Sequence, residues 1–221
     1  MKWDFFKFYL GLRSKLGLPA MTGREIKAYK AILLSFKGKE QVNIFEYGSG
    51  FSTIYFARFL KDQGMDFHFH SVDNNVFWHN RVRKMVEENG LSKRVHLYLC
   101  PFVPFWEKSG WSWKKKPACG QFAPHLQEEK DYIHLPLTLK KKFDLIVVDG
   151  RFRRRCLEVI PAALSEGGVV FLHDAEREHS QPKKGQYPYS RWIEKGKFYF
   201  WQRHEFKTWI GSFKPLDVTH A

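Results

Sequence analysis

The residues best placed to do chemistry are a glycine turn and the acids around it. Glu46-Tyr47-Gly48-Ser49-Gly50-Phe51-Ser52-Thr53 follows a short apolar run and precedes a helical one. Glycines between a strand and a helix let the backbone approach a ligand at the carboxyl edge of an open α/β sheet. Thr53 stands where a dinucleotide fingerprint has its third glycine. Glu46, two residues before Gly48, would repel a diphosphate but suits an ammonium or sulfonium group. Ser52 suits the N-cap of the following helix. Asp73 closes the next apolar run, the place where an acid accepts hydrogen bonds from ribose hydroxyls. This pattern describes a pocket for a nucleoside carrying positive charge. The competing readings are structural: Glu46 as a helix cap or arginine partner, and Asp73 as an N-cap.

A second pair of acids follows further on. Asp149 and Asp174 each come directly after an apolar run that reads as a buried strand. Neighbouring strands lie ~4.8 Å apart, so the two carboxylates can converge, and then need a proton, a cation or a basic partner. A hard divalent metal such as Mg²⁺ satisfies such a pair; so does Arg151, Arg153 or Arg177. His173 is either a proton carrier beside them or a core histidine bonded to a carbonyl. Arg151 and Arg153 are also candidates for binding an acidic substrate. The runs Lys140-Lys141-Lys142 and Lys183-Lys184 could grip phosphates or stacked bases, with a plain charged loop the commoner reading of Lys140–Lys142. Tyr187-Pro188-Tyr189 with Arg191 and Trp192 forms either a substrate wall or ordinary packing.

Positioning these groups requires alternating strands and helices. Strands are expected over residues 43–47, 67–72, 94–99, 143–148 and 168–172. Helices are expected over 52–63, around Trp78 to Val86 with a glycine cap at Gly90, and around Cys156 to Leu164 with a kink at Pro161. Thr22 and Glu25 form a capping-box signature for an earlier helix. A more N-terminal helix around Phe5, Phe6, Tyr9 and Leu10 packs on its own domain or lies on a membrane surface. Residues 197–202 and 205–210 alternate aromatic and polar types, as in an antiparallel hairpin. Alternation of this kind predicts a parallel sheet covered on both faces. The stretch between the third and fourth strands holds Pro101, Pro104, Pro117, Pro124 and Pro136 with Trp106, Trp111 and Trp113, and reads as a substrate-covering insertion over 100–142.

The chain of 221 residues makes one domain over 1–221, with a helical N-terminal extension over 1–40. Hydrophobic residues at 43% and aromatics at 17% exclude wholesale disorder. No apolar run reaches the ~20 residues of a membrane span, and Lys7 and Arg13 interrupt the opening stretch, unlike a secretory signal. Cys100, Cys119 and Cys156 form no disulfide or zinc pattern and suit a reducing cytoplasm. With 37 Lys and Arg against 23 Asp and Glu, the net charge of +14 attracts nucleic acid, anionic lipid or phosphorylated metabolites.

Taken together, these motifs resemble the class I S-adenosylmethionine-dependent methyltransferases, from about Thr22 to the final hairpin. The match runs through E-Y-G-S-G-F-S-T, S-V-D-N-N, F-D-L-I-V-V-D-G and L-S-E-G-G-V-V-F-L-H-D. Cys100 replaces the acid that many members carry after the third strand. Glu166 stands in place of a proline before Gly167 and Gly168. The resemblance implies an α/β, doubly wound, mostly parallel Rossmann-like sheet with a C-terminal antiparallel hairpin and N-terminal helices. It implies S-adenosyl-L-methionine as cofactor, held by Glu46, Gly48, Ser49, Gly50, Ser52, Thr53 and Asp73, with Asn74 beside the nucleoside. The expected reaction is methyl transfer to oxygen, or less readily nitrogen, of a small or acidic acceptor. Asp149 would orient or deprotonate the acceptor, with His173 and Asp174 in second place. Asp149 and Asp174 correspond to metal-holding acids of catechol-type O-methyltransferases, whose following Asn is Ala175 here. Two alternatives remain: an RNA methyltransferase, although no NPPY-like motif follows the fourth strand, and a non-catalytic cofactor-binding adaptor for nucleic acid or a membrane surface.

Overall fold

A computed structural model describes residue 13 and residues 16–101, 127–175, 189, 199–200 and 208–214. The helix expected around Phe5, the three tryptophans of the insertion, Arg177, Lys183-Lys184 and Tyr187-Pro188 all lie outside the described residues. So do Cys119, Arg191 and Trp192.

Seven strands form one sheet: β1 (Val42–Tyr47), β2 (Phe67–Asp73), β3 (Val95–Leu99), β4 (Phe143–Val148), β5 (Leu164–His173), β6 (Tyr199–Phe200) and β7 (Thr208–Ser212). Their order is β3-β2-β1-β4-β5-β7-β6. The first five are parallel, and β7 runs antiparallel to both β5 and β6. Among the described residues five helices accompany them: α1 (Gly23–Ser35), α2 (Phe51–Asp62), α3 (Val76–Glu88), α4 (Gln127–Thr138) and α5 (Arg153–Ala163). Among the described residues no helix is long and apolar enough to cross a membrane.

Alternate residues of each central strand feed opposite faces of the sheet. Ile44, Leu145 and Val147 join Tyr29, Leu33, Phe56 and Val82 beneath α1–α3. Phe45, Tyr47, Ile146 and Val148 join Tyr132, Leu157 and Ile160 beneath α4 and α5. Both faces are therefore dry, which is why β4 is apolar at five of its six positions and buried at every one. The strand order reverses direction between β1 and β4, so a crevice opens there at the carboxyl edge.

Several local expectations change. The helix after the glycine turn starts at Phe51 with Gly50 as N-cap. Thr53 Oγ1 accepts the Gly50 amide at 2.9 Å, which leaves Ser52 inside the first turn instead of capping it. Helix α5 passes Pro161 and ends two residues later at Ala163, so the lost amide falls in the last turn. Strand β5 begins at Leu164, with a register shift opposite Phe143 and Leu145. Between β3 and β4 the chain builds α4, which packs against α5. Its apolar pattern is interrupted by Pro136 and gave no helical signal. The capping box of α1 is formed: the Thr22 amide donates to Glu25 Oε2 at 2.7 Å, and the Glu25 amide to Thr22 Oγ1 at 3.3 Å.

The turns after β1 and β4 meet backbone to backbone. Gly48 has φ of 96°, and a Cβ there would lie 2.8 Å from the Cα and N of Gly150. A Cβ on Gly150 would in turn meet the Tyr132 hydroxyl at 2.1 Å. Gly48→Ala should therefore destabilise the fold by roughly 2 kcal/mol or more, from left-handed strain plus backbone collision. Urea unfolding of the variant against the parent chain measures this, and an unchanged midpoint would refute the tight contact.

Candidate active site

The crevice at the carboxyl edge measures about 640 Å³. Its walls come from the glycine turn (Gly48, Ser49, Gly50, Ser52), the end of β2 (Asp73, Asn74), Trp78 of α3, Tyr132 of α4, and the segment after β4 (Asp149, Gly150, Arg151, Arg153). Met21, just before α1, closes one side.

Glu46 is fully buried beneath the turn and does not line the crevice. Its neighbours Phe45 and Tyr47 face α4 and α5, so Glu46 faces α2. There Ser52 Oγ donates to Oε1 at 2.7 Å, Ser71 Oγ donates to Oε2 at 2.7 Å, and the Thr53 hydroxyl also donates to Oε2. Burial pushes the carboxyl up to about 7. The three hydroxyls pull it back, and the charge of Asp149 adds to the rise. As placed, Glu46 braces the turn from below. Thr53 is equally buried, and the Ser52 hydroxyl is spent on Glu46.

Asp73 does reach the crevice. Its Oδ1 accepts the Asn75 amide at 2.7 Å, and the amides of Asn74 and Ser49 also point at the carboxylate. Burial raises its pKa, and these amides with the nearby Arg151 oppose the rise. The N-cap of α3 is Asn75, whose Oδ1 accepts from the Trp78 amide at 2.9 Å, so the capping reading of Asp73 falls away. Trp78 Nε1 donates to the Ser49 carbonyl and ties α3 to the glycine turn. Phe51 packs edge-on against Trp78, and Arg81 lies over both rings. Cys100 is half-buried, donates its amide to the Asp73 carbonyl at 3.0 Å, and does not line the crevice.

Asp149, Arg153, His173 and Asp174 converge as expected, but in a particular order. Arg153 Nη2 donates to Asp149 Oδ1 at 2.9 Å, and Nη1 to Asp174 Oδ2 at 3.3 Å. His173 Nδ1 contacts the same Asp149 oxygen at 2.8 Å, while its Nε2 lies 3.4 Å from Glu25 Oε1. Burial alone would lower the pKa of His173, but Asp149, Asp174 and Glu25 outweigh it and hold the ring above its ordinary value. The imidazole sits between the carboxylates of Asp149 and Glu25, which favour its protonated form. Only Asp149 and Arg153 of these four line the crevice. Glu25 is a buried participant that sequence reasoning treated solely as a cap; its Oε1 also accepts from Thr208 Oγ1 at 2.7 Å. Tyr132 is a second omission. Its hydroxyl accepts the Arg151 amide at 3.3 Å and fixes the turn after β4. Nothing in the sequence around Tyr132 marks it.

Asp149, His173 and Asp174 offer donor atoms within 4.8 Å of one another, a spacing that suits a divalent ion. The guanidinium of Arg153 is bonded to both carboxylates, so an ion does not fit the site as it stands. The same bonds make Arg153 a brace between the turns after β4 and β5.

The profile of a family described as "Methyltransferase domain" matches residues 45–175. That span covers the glycine turn and both acid pairs, and the chain belongs to this family. Its fold is that of the class I S-adenosylmethionine-dependent methyltransferases. Solved structures show the same architecture at low identity. A Staphylococcus aureus protein described as a caffeoyl-CoA O-methyltransferase superposes with a TM-score of 0.59 at 13% identity, over 93% of this chain and 90% of its own. An O-methyltransferase from Bacillus cereus in complex with S-adenosylhomocysteine gives 0.56 at 16%, over 94% and 89%. The S-adenosylhomocysteine-bound Podospora anserina methyltransferase PaMTH1 gives 0.55 at 15%, over 96% and 86%. No curated protein sequence matches the chain.

The raised pKa of Glu46 has a consequence for stability. The folded chain holds this proton more tightly than the unfolded one, so Glu46 costs stability as pH rises from about 4.5 through about 7. Glu46→Gln removes that slope. The stability of the variant minus that of the parent chain should rise between pH 5 and pH 8, by up to roughly 3 kcal/mol. Denaturant titrations at both pH values measure the difference. A difference that falls as pH rises would contradict the assignment.

Proposed function

We propose that this chain transfers a methyl group from S-adenosyl-L-methionine to an oxygen of a small, acidic acceptor. The observation that carries the reading is Asp73: a carboxylate lining the crevice, held by backbone amides, beside a glycine turn in which Gly48 has no room for a side chain. That arrangement suits the two ribose hydroxyls of an adenosine derivative. The S-adenosylhomocysteine complexes among its structural relatives support the same ligand.

When bound, the cofactor supplies an electrophilic methyl on sulfur; a bond forms from the acceptor oxygen to that carbon while the carbon–sulfur bond breaks. The chain's own residues orient the acceptor and take its proton. Asp149 is the base. Both of its side-chain contacts fall on Oδ1, from His173 and Arg153, so the carboxylate is held rigidly while Oδ2 serves the acceptor. Arg151 brings positive charge to the crevice wall near Asp73 and favours an acidic acceptor. The Tyr132 hydroxyl keeps that segment in place through the Arg151 amide.

Calorimetry distinguishes the ligand classes. S-adenosylmethionine and S-adenosylhomocysteine should both bind at one site, NAD should not, and Asp73→Ala should weaken both adenosyl ligands. NAD binding with no response to the sulfur compounds would refute the reading. Once an acceptor is in hand, Asp149→Asn should lower kcat by about two to four orders of magnitude. Its affinity for S-adenosylhomocysteine should stay near that of the parent chain. A variant that loses the cofactor instead would show that Asp149 belongs to cofactor binding.

A further inference from the structure

The geometry points to Arg153 as a built-in replacement for a divalent cation, so that the acid pair at the crevice binds no metal. The assignment rests on a donor count. A guanidinium has five N–H donors, and each has an acceptor here. Nε donates to the Gly150 carbonyl at 3.2 Å. Nη1 donates to the His173 carbonyl at 2.7 Å and to Asp174 Oδ2 at 3.3 Å. Nη2 donates to the Asp149 carbonyl and to Asp149 Oδ1, both at 2.9 Å. The side chain is only 12% exposed. Nothing is left over for a substrate.

These five acceptors belong to two turns. The Asp149 and Gly150 carbonyls and one carboxylate lie after β4, and the His173 carbonyl and the other carboxylate lie at the end of β5. Arg153 therefore ties the ends of two adjacent strands, as an ion held by Asp149, His173 and Asp174 would. It also supplies the positive charge that allows two acids to stand so close. An entering ion would have to expel a guanidinium that is already bonded throughout and leave it unpaired in a mostly buried place. The cost of breaking such a pair works against binding. Asp174, with φ of 56°, holds a left-handed backbone that helps aim its carboxylate at Arg153. Arg153 is thus a positioning residue: it acts on Asp149, and through Asp149 on the acceptor. The placement of Arg153 stands independently of the reaction proposed above, and metal binding tests it without any turnover.

The experiment is Mn²⁺ binding followed by electron paramagnetic resonance on the full chain. The parent protein should leave the free-ion signal unchanged. Arg153→Ala and Arg153→Met, which remove the guanidinium but keep the carboxylate and imidazole donors, should bind one Mn²⁺ at least about tenfold more tightly than the parent chain. Adding Asp174→Asn to either should abolish the gain. Circular dichroism identifies variants that remain folded, and the parent chain decides alone if neither does. Stoichiometric Mn²⁺ binding by the parent chain that disappears in Asp174→Asn would overturn the proposal. So would folded Arg153 variants that gain no affinity.

Discussion

Two turns touch with no side chain between them, and the rest of the site follows from that contact. Gly48 and Gly150 face each other so closely that one added carbon on either collides with backbone or with Tyr132. Hydrogen bonds from the Gly48 amide to the Val72 carbonyl at 2.8 Å and from the Asp149 amide to the Tyr47 carbonyl at 3.0 Å carry the sheet into both turns. The ends of β1, β2 and β4 are thereby fixed in one frame. Asp73 arrives from one side, the Ser49–Gly50 backbone from the middle and Asp149 from the other. A ligand in this crevice meets main chain on its floor and carboxylates on its walls.

The buried charges are arranged as a chain running inward from the crevice. Asp149 is bonded to Arg153 on one side and to His173 on the other, and His173 reaches Glu25 of α1. Glu25 in turn holds the Thr22 amide and the Thr208 hydroxyl of β7. Helix α1 and the antiparallel strand are therefore electrostatically joined to Asp149 in the crevice wall. Glu46 is a separate case. It has hydroxyl partners and no cationic one, so its acidity moves close to neutrality while its hydrogen bonds tie β1, β2 and α2 together.

The strands were legible because a sheet dry on both faces demands continuous apolar runs, and β4 ends at the positions its hydropathy implies. The glycine turn and the capping box of α1 were legible because each needs particular residue types at fixed offsets. Glu46 stayed ambiguous because a strand-end acid reads equally well as a ligand or as a brace. The alternation of Phe45 and Tyr47 towards the opposite face, with Ser52 and Thr53 ahead, was the signal that favoured the brace. For the acid pair, three arginines stood near in sequence, and only the four-residue spacing of Asp149 and Arg153 separated them. Tyr132 was invisible because α4 carries Pro136, which interrupts its apolar pattern. Glu25 was half visible: its capping role was plain, but its contact with His173 depends on how α1 lies against the end of β5, which no local pattern encodes.

The central claim is that this crevice holds an adenosyl sulfur compound against Asp73 and below Asp149. A crystal of the full chain grown with S-adenosylhomocysteine tests it most directly. The account predicts ribose hydroxyls on the Asp73 carboxylate and the sulfur over the glycine turn on the side of Asp149. Density for the ligand elsewhere, or a vacant crevice at saturating ligand, would contradict it.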